Sequence, residues 1–289
     1  MPFAARTLHR LLSIGGCASP GRVRLVAALL LLAAVSAQAA MLDILRDGAV
    51  VRQLDGAALL RDCARAIELD DPYYEARKRF SACPLATVVE QGFGIAPDRL
   101  EGDVVFRARD GYAKVSTPAR IAEEGGFVAL RDLDRPEGFA PFGRGATDPG
   151  PFYVVWMKPS QRDTHRYPWP YQLAAIEVTN VRARYPHTVP AGLADESPAW
   201  RGYEIYRGEC MACHSVNGEG GTVGPDLNIP QSIVEYRPEA QVKAYIRNPA
   251  AFRYGAMPSH EHLSPADLDA LVAYFRAMKD RKHDPRKQP

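Results

Sequence analysis

The sequence lacks an excess of charge of either sign. Its 289 residues include 36 Lys and Arg and 34 Asp and Glu, for a formal net charge of +2. Four arginines lie within the first 39 residues, which contain no acidic residue, so the remainder holds 32 basic residues against 34 acidic ones. A nearly neutral chain offers no electrostatic support for strong binding to nucleic acid or to an anionic membrane surface. We therefore expect no nucleic-acid partner.

A hydrophobic run long enough to span a bilayer comfortably is also missing. The apolar run over residues 25–35 is much shorter than the roughly 20 residues that a transmembrane helix needs. It follows an arginine-bearing start and precedes Ala37-Gln38-Ala39, an order typical of a secretory signal peptide. We therefore predict a signal peptide over residues 1–39 with cleavage near Ala39, a periplasmic location, and no integral membrane span in the mature chain. An uncleaved anchor is the alternative.

Cysteine is scarce, and its distribution disfavours two common kinds of site. The sequence has five cysteines, which are Cys17, Cys63, Cys83, Cys210 and Cys213. A zinc site at residues 210–214 would need a second Cys/His pair at ligand spacing, and none follows in the sequence. A redox dithiol would need a preceding strand within a βαβ pattern, which the sequence also lacks.

Residues 210–214 instead read Cys-Met-Ala-Cys-His, the C-x-x-C-H pattern of covalent haem attachment. Cys210 and Cys213 can each add to one vinyl group of haem, and His214 can then ligate the iron from the proximal side. One covalent haem c is therefore the predicted cofactor. Export would also permit disulfides, so we expect Cys63 and Cys83 either to pair or to remain as two free buried thiols.

An amphipathic helix over residues 199–213 is predicted to deliver this motif. Its aromatic residues, on or near one face, are Trp200, Tyr203 and Tyr206. The charged residues expected to face water are Arg201, Glu204, Arg207 and Glu209. Together with the motif, this helix gives residues 199–280 a resemblance to a class I cytochrome c domain. In that family a glycine and an aromatic residue of the first helix cross the last helix, and Gly202 and Tyr206 match those two positions.

The resemblance extends past the motif. Gly224-Pro225-Asp226-Leu227 resembles the family's Gly-Pro-x-Leu element. It implies that the Pro225 carbonyl accepts a hydrogen bond from the Nδ1–H of His214 and fixes the proximal ring. A last helix is predicted from an N-cap at Ser264, with Pro265 at its first position and Asp267 completing a capping box.

A distal iron ligand is expected between these elements. Met257, followed by Pro258 in an irregular segment, matches the family's distal-ligand pattern, and His260 or His262 are the substitutes. A thioether ligand would favour Fe(II) and raise the reduction potential, whereas a histidine would lower it.

Residues 40–181 are predicted to form a β-rich mixed domain. A short helix is expected at residues 84–90, opened by Pro84, and strands are expected at 64–69, 103–108, 112–115, 127–130, 153–156 and 173–178. Residues 72–74 are expected to form a turn that leads into a further strand. This order resembles the sulfite-oxidase-type molybdopterin-binding domain. The matching segments are Pro84-Leu85, Asp110-Gly111-Tyr112, residues 150–155 and residues 167–178.

That family holds molybdenum through a cysteine thiolate and surrounds the pterin phosphate with basic and polar groups. Cys83 lies at the start of a helix and not in a loop that plainly matches the ligand position, and the sequence has no convincing pterin-binding constellation. The resemblance therefore implies a cofactor-free relative used as a docking or structural module. His165 and His187 each stand alone in polar, proline-rich surroundings, and we expect them to be solvated or capping residues.

The predicted fold is α+β. A sulfite-oxidase-like domain at residues 40–181 is followed by a linker at 182–198, an all-α cytochrome c domain at 199–280 and a charged tail at 281–289. The predicted function is that of a periplasmic monohaem cytochrome that passes single electrons to or from a partner oxidoreductase, an electron carrier rather than an enzyme. Two alternatives stay open: a haem-containing molybdenum oxidoreductase resembling sulfite dehydrogenase, and a haem sensor or peroxidase with a displaceable Met257.

Overall fold

A computed structural model describes residues 40–143 and 145–287, which belong to one compact unit. The predicted signal peptide and its cleavage site lie outside the described residues. Within these ranges, no helix is long and apolar enough to cross a membrane.

Two β-sheets build the N-terminal region. Its strands are β1 (Met41–Arg46), β2 (Ala49–Asp55), β3 (Arg65–Asp71), β4 (Ala76–Pro84), β5 (Asp103–Ala108), β6 (Ala113–Ser116), β7 (Gly126–Asp132), β8 (Tyr153–Trp156) and β9 (Leu173–Thr179). Its helices are α1 (Gly56–Asp62), α2 (Leu85–Phe93) and α3 (Pro118–Ala122). The first sheet has the order β2-β1-β9-β5-β6, with β1 parallel to β9. The second sheet is antiparallel and has the order β3-β4-β7-β8.

Most of the predicted strands are confirmed. The strands β5 and β8 match their predicted bounds, and β3, β6, β7 and β9 overlap theirs. The strands β1 and β2 have no counterpart among the predictions. Helix α2 begins at Leu85 and not at Pro84, because Pro84 still pairs with Phe127 in the sheet and serves as the N-cap.

Side chains from both sheets share one core. Among its largest fully buried members are Trp156, Trp169 and Phe80. Beside this core a disulfide joins Cys63, which follows α1, to Cys83 in β4. The alternative of two free thiols is therefore wrong.

Residues 182–198, predicted as a linker, pack against the rest of the described chain. A short helix, α4 (Val181–Arg184), covers the start of this segment, and Tyr185 and Thr188 after it are buried. The Thr188 carbonyl accepts a hydrogen bond of 2.7 Å from the Tyr274 hydroxyl. Tertiary contacts hold this segment in place. The segment has no periodic pattern of apolar residues, so its sequence does not predict these contacts.

The C-terminal region is mainly helical. Its elements are α5 (Pro198–Ile205), the short strands β10 (Ser215–Val216) and β11 (Glu219–Gly220), and the helices α6 (Ile233–Tyr236), α7 (Glu239–Arg247) and α8 (Pro265–Lys279). The start of α8 is confirmed, because Ser264 and Asp267 form a capping box and Pro265 lies in the first turn.

The helix predicted over residues 199–213 is divided in two. Helix α5 ends at Ile205, and Tyr206–Cys210 form a π-type turn in which the N–H of Met211 donates to the Tyr206 carbonyl at 2.8 Å. Five residues and not four close this turn, and Met211 and Tyr206 are both buried in the same core.

The expected crossing of the first and last helices is confirmed. A methyl group at Gly202 would lie 2.0 Å from the carbonyl oxygen of Ala270, so only a glycine allows this approach. The rings of Tyr206 and Tyr274 stack with their centroids 5.2 Å apart.

A second core is shared between the two regions. It combines residues of the C-terminal region, among them Tyr206, Met211 and Tyr274, with Val105 and Tyr185 from the N-terminal side. The segment that carries the haem motif is therefore packed against the five-stranded sheet.

Main-chain hydrogen bonds connect the β5–β6 hairpin to the same segment. The N–H of Ala113 donates to the Ala212 carbonyl at 2.8 Å, and the N–H of Thr222 donates to the Gly111 carbonyl at 3.0 Å. Ala212 lies between the two cysteines of the motif, so this hairpin helps to position the attachment turn.

Candidate haem site

The two cysteines of the motif lie in one tight turn. The N–H groups of Cys213 and His214 both donate to the Cys210 carbonyl, at 3.1 and 2.9 Å. Neither thiol is in a disulfide within the described part of the chain; Cys210 is buried and Cys213 is half-buried. Burial raises the pKa of Cys210 to about 12 and also raises the pKa of Cys213, so both thiols stay protonated at neutral pH before attachment.

The imidazole of His214 is oriented by one hydrogen bond. Its Nδ1 lies 2.7 Å from the carbonyl oxygen of Pro225, which can only accept, so Nδ1 carries the proton and Nε2 is left to act as a ligand. Burial lowers the pKa of His214, which favours the neutral ring that metal binding requires. The geometry implied by the Gly-Pro-x-Leu element is present.

Two glycines shape the space around this turn. A methyl group at Gly224 would lie 2.4 Å from Cε1 of His214, and one at Gly221 would lie 2.1 Å from the Ala212 carbonyl oxygen. Any side chain at these positions would push the imidazole or the attachment turn away. A cradle of this kind, with two thiols and a neutral imidazole, fits covalently bound haem.

Met257 is half-buried and packs against the core that contains Tyr206 and Met211. Its role as a distal ligand stays a prediction. The two substitutes have other surroundings, because His260 is buried and His262 is exposed, and their rings lie 5.4 and 4.1 Å from the ring of His165.

Three tyrosines of the N-terminal region, Tyr73, Tyr112 and Tyr171, lie near Cys213. Burial raises the pKa of Tyr73, Tyr112 and Tyr171, and the nearby Cys213 acts in the same direction on all three. Tyr73 also stacks on Phe142, with centroids 5.5 Å apart. These tyrosines were not among the predicted site residues, because they come from three separated segments, and the segments of Tyr112 and Tyr171 were assigned to the fold of the N-terminal domain.

The predictions that Glu209 faces water and that His165 stands alone are wrong. Glu209 is half-buried, and its Oε2 lies 3.0 Å from Nδ1 of His165. Burial acts to raise the pKa of Glu209, but the hydrogen bond with His165 and the charge of Lys114 hold it below its ordinary value. The two residues are 44 positions apart, so only the folded chain brings them together.

His187 is not isolated either, and Arg207 is not simply solvated. Nδ1 of His187 lies 2.7 Å from Oε1 of Glu219, and its ring stacks on that of His283 with centroids 3.5 Å apart. Arg207 forms an ion pair of 3.0 Å with Asp103 on β5.

Comparison with known proteins finds a family match for part of this chain. The cytochrome c family model matches residues 199–279. Thiosulfate dehydrogenase of Thiomonas intermedia is 37% identical over 94 residues, which are 30% of this chain and 29% of that protein. Cytochrome c oxidase subunit 2 of Alkalihalophilus pseudofirmus is 30% identical over 92 residues, 29% of this chain and 27% of that protein. Lupanine 17-hydroxylase [cytochrome c] of a Pseudomonas species is 40% identical over 67 residues, 23% of this chain and 9% of that protein.

The chain thus spans less than a third of the length of these curated relatives. The match to the family model includes the attachment turn, the Gly224 cradle and the crossing of α5 with α8. Residues 199–279 therefore form a cytochrome c domain, and that family implies covalently bound haem c and electron transfer through it.

Proposed function

We propose that the protein is a periplasmic monohaem cytochrome that transfers single electrons to or from a partner oxidoreductase. The observation that carries this proposal is the Cys210–Cys213 turn followed by an imidazole whose Nδ1 is bound to the Pro225 carbonyl. Haem c bound there supplies a one-electron Fe(III)/Fe(II) couple.

The residues of the site divide this task. Cys210 and Cys213 hold the macrocycle, while Pro225 and Gly224 fix the ring of His214 for proximal ligation. Met257 is the distal ligand in this proposal. If His214 and Met257 both ligated the iron of a bound haem, no position would be left for a substrate, which favours electron transfer over catalysis at the haem.

The N-terminal region serves as a docking or structural module in this proposal. It contributes Val105 and Ala113 to the core around the motif and binds the attachment turn through the β5–β6 hairpin. Its two cysteines, Cys63 and Cys83, are joined in a disulfide, so neither offers a thiolate to molybdenum. The remaining cysteine outside the motif, Cys17, lies in the predicted signal peptide. This supports a cofactor-free module over a molybdenum oxidoreductase.

Cofactor analysis of the periplasmically expressed protein tests the choice. We expect one iron per chain, a c-type pyridine-haem spectrum and no molybdenum by elemental mass spectrometry. Stoichiometric molybdenum would instead make the N-terminal region the catalytic domain and the haem its electron outlet. Carbon monoxide binding to the reduced protein under mild conditions would favour the sensor or peroxidase alternative, since it requires a displaceable distal ligand.

The distal ligand is tested by Met257→Ala. We expect the oxidised protein to lose its near-infrared thioether-to-iron band and the reduction potential to fall, because a thioether stabilises Fe(II). Met157→Ala is the matched control, since Met157 is exposed at the end of β8. His260→Ala and His262→Ala should retain the band. An unchanged band in Met257→Ala would remove Met257 from the iron.

A further inference from the structure

Three segments that are distant in sequence meet beside the attachment turn. His165 comes from the connection between β8 and β9, Glu209 from the π-type turn next to Cys210, and His260 from the connection between α7 and α8. In the part of the chain that the structure describes, these residues form a group of potential metal ligands. One ligand atom from each lies within 4.8 Å of the others.

The carboxylate is the centre of this group. Oε2 of Glu209 lies 3.0 Å from Nδ1 of His165 and 3.5 Å from Nε2 of His262. In tetrahedral zinc sites the metal–nitrogen distance of about 2.0–2.1 Å places neighbouring ligand atoms roughly 3.3 Å apart. The separation of 3.0 Å between Glu209 and His165 is close to that value, whereas the ring of His262 lies 5.9 Å from that of His260 and outside the group.

His260 has an unsatisfied polar atom. Only 3% of the residue is exposed, and no group among the described residues lies within hydrogen-bond distance of its buried Nδ1. Its main-chain N–H is bound to the carbonyls of Ile246 and Arg247 at 3.2 Å, which fixes the residue. Buried ring nitrogens are normally satisfied, so this one is free to accept a ligand that the described part of the chain does not supply.

We propose that His165, Glu209 and His260 bind one divalent transition-metal ion of the zinc type and leave a fourth position open. Imidazole and carboxylate ligands in this ratio suit Zn²⁺, whereas Mg²⁺ and Ca²⁺ prefer sites made of oxygen ligands. None of the three residues of this His₂Glu site is one of the proposed haem ligands His214 and Met257, so metal binding does not depend on the haem function.

The location gives the site two consequences. The metal links the N-terminal region to the attachment turn and to the connection that carries Met257, so its binding raises the thermal stability of the whole unit. Because Glu209 is adjacent to Cys210, the added positive charge also raises the reduction potential of a haem attached there. Only this second consequence rests on the proposed function.

Calorimetric titration of the chelator-treated holoprotein with ZnCl₂ tests the proposal. We expect one Zn²⁺ per chain and no detectable binding of Mg²⁺ under the same conditions. His165→Ala and Glu209→Gln should each weaken Zn²⁺ binding by about tenfold or more, because each removes or weakens a ligand. Absence of Zn²⁺ binding by the wild-type protein would overturn the proposal.

His187→Ala is the matched control, since His187 also contacts a carboxylate, that of Glu219 at 2.7 Å. The Zn²⁺ affinity of this control should equal that of the wild type. If His187→Ala lost Zn²⁺ binding and His165→Ala retained it, the zinc would bind elsewhere and the assignment would be overturned. Because His165 lies outside the cytochrome c domain, an unchanged haem spectrum in His165→Ala checks that the fold is intact. Loss of the low-spin haem spectrum in His260→Ala would assign His260 to iron and overturn its place in the zinc site.

Discussion

Among single residues, Gly224 limits the haem site most directly. A methyl group there would lie 2.4 Å from Cε1 and 2.8 Å from Nε2 of His214. We predict that Gly224→Ala turns the ring away from the Pro225 carbonyl, lowers the haem content per chain and costs about 1–3 kcal/mol of stability. Pyridine-haem quantification and thermal unfolding measure both effects.

Gly255→Ala provides the control for this substitution. Among the described residues, nothing lies within 4 Å of the position that its methyl group would occupy. Haem content and stability should therefore stay close to those of the wild type. A Gly224→Ala protein with full haem content and wild-type stability would show that the ring tolerates displacement.

Local chemistry explains which site residues the sequence predicts. The cysteines and His214 are identified by their spacing, and the contact with Pro225 spans only 11 positions within one loop. The contact of His165 with Glu209 depends on how the N-terminal region packs against the attachment turn, and no local pattern encodes that packing. The one available signal was the paired histidines of His260-Glu261-His262.

Among helices, the crossing of α5 and α8 depends on the smallest side chain. A methyl group at Gly202 would lie 2.0 Å from the Ala270 carbonyl oxygen and 2.7 Å from Cβ of Tyr274. We predict that Gly202→Ala forces the helices apart and destabilises the protein by about 1–3 kcal/mol, seen as a lower melting temperature.

Gly208→Ala, in the π-type turn that follows α5, is the control that distinguishes the effect of this clash on stability from the effect of helix propensity. No atom of the described chain outside the turn's own backbone lies within 4 Å of a methyl group at Gly208. Alanine has the higher helix propensity, so the melting temperature should stay the same or rise. If the Gly202→Ala and Gly208→Ala proteins had the same melting temperature, the steric explanation would be wrong.

A strand can be predicted from the sequence when at least one of its faces is buried. The strands β5 and β9 are rich in buried β-branched residues, so composition identifies them. Most of β2 is exposed, and a strand without a buried face gives no alternating pattern. Its hairpin with β1 had one local signal, Asp47-Gly48, where both residues have positive φ angles of 50° and 86°.

For the molecule as a whole, the shared core predicts that the two regions unfold together. Val105 and Ala113 from the N-terminal region are buried with Tyr206 and Met211, so the unfolding of either region exposes part of this shared core. We predict coincident urea transitions when unfolding is followed by the haem Soret band, which reports on the attachment turn, and by far-ultraviolet circular dichroism of the whole chain.

Val105→Ala tests whether the coupling runs through this core. Val105 is fully buried on β5, so its truncation should cost about 1–3 kcal/mol and move both transitions to lower urea by the same amount. Val50→Ala, at an exposed position of β2, should change stability by less than about 0.5 kcal/mol. If Val105→Ala shifted the circular dichroism transition and left the Soret transition in place, the haem domain would be stable without its neighbour. The N-terminal region would then be a docking module and not a structural support.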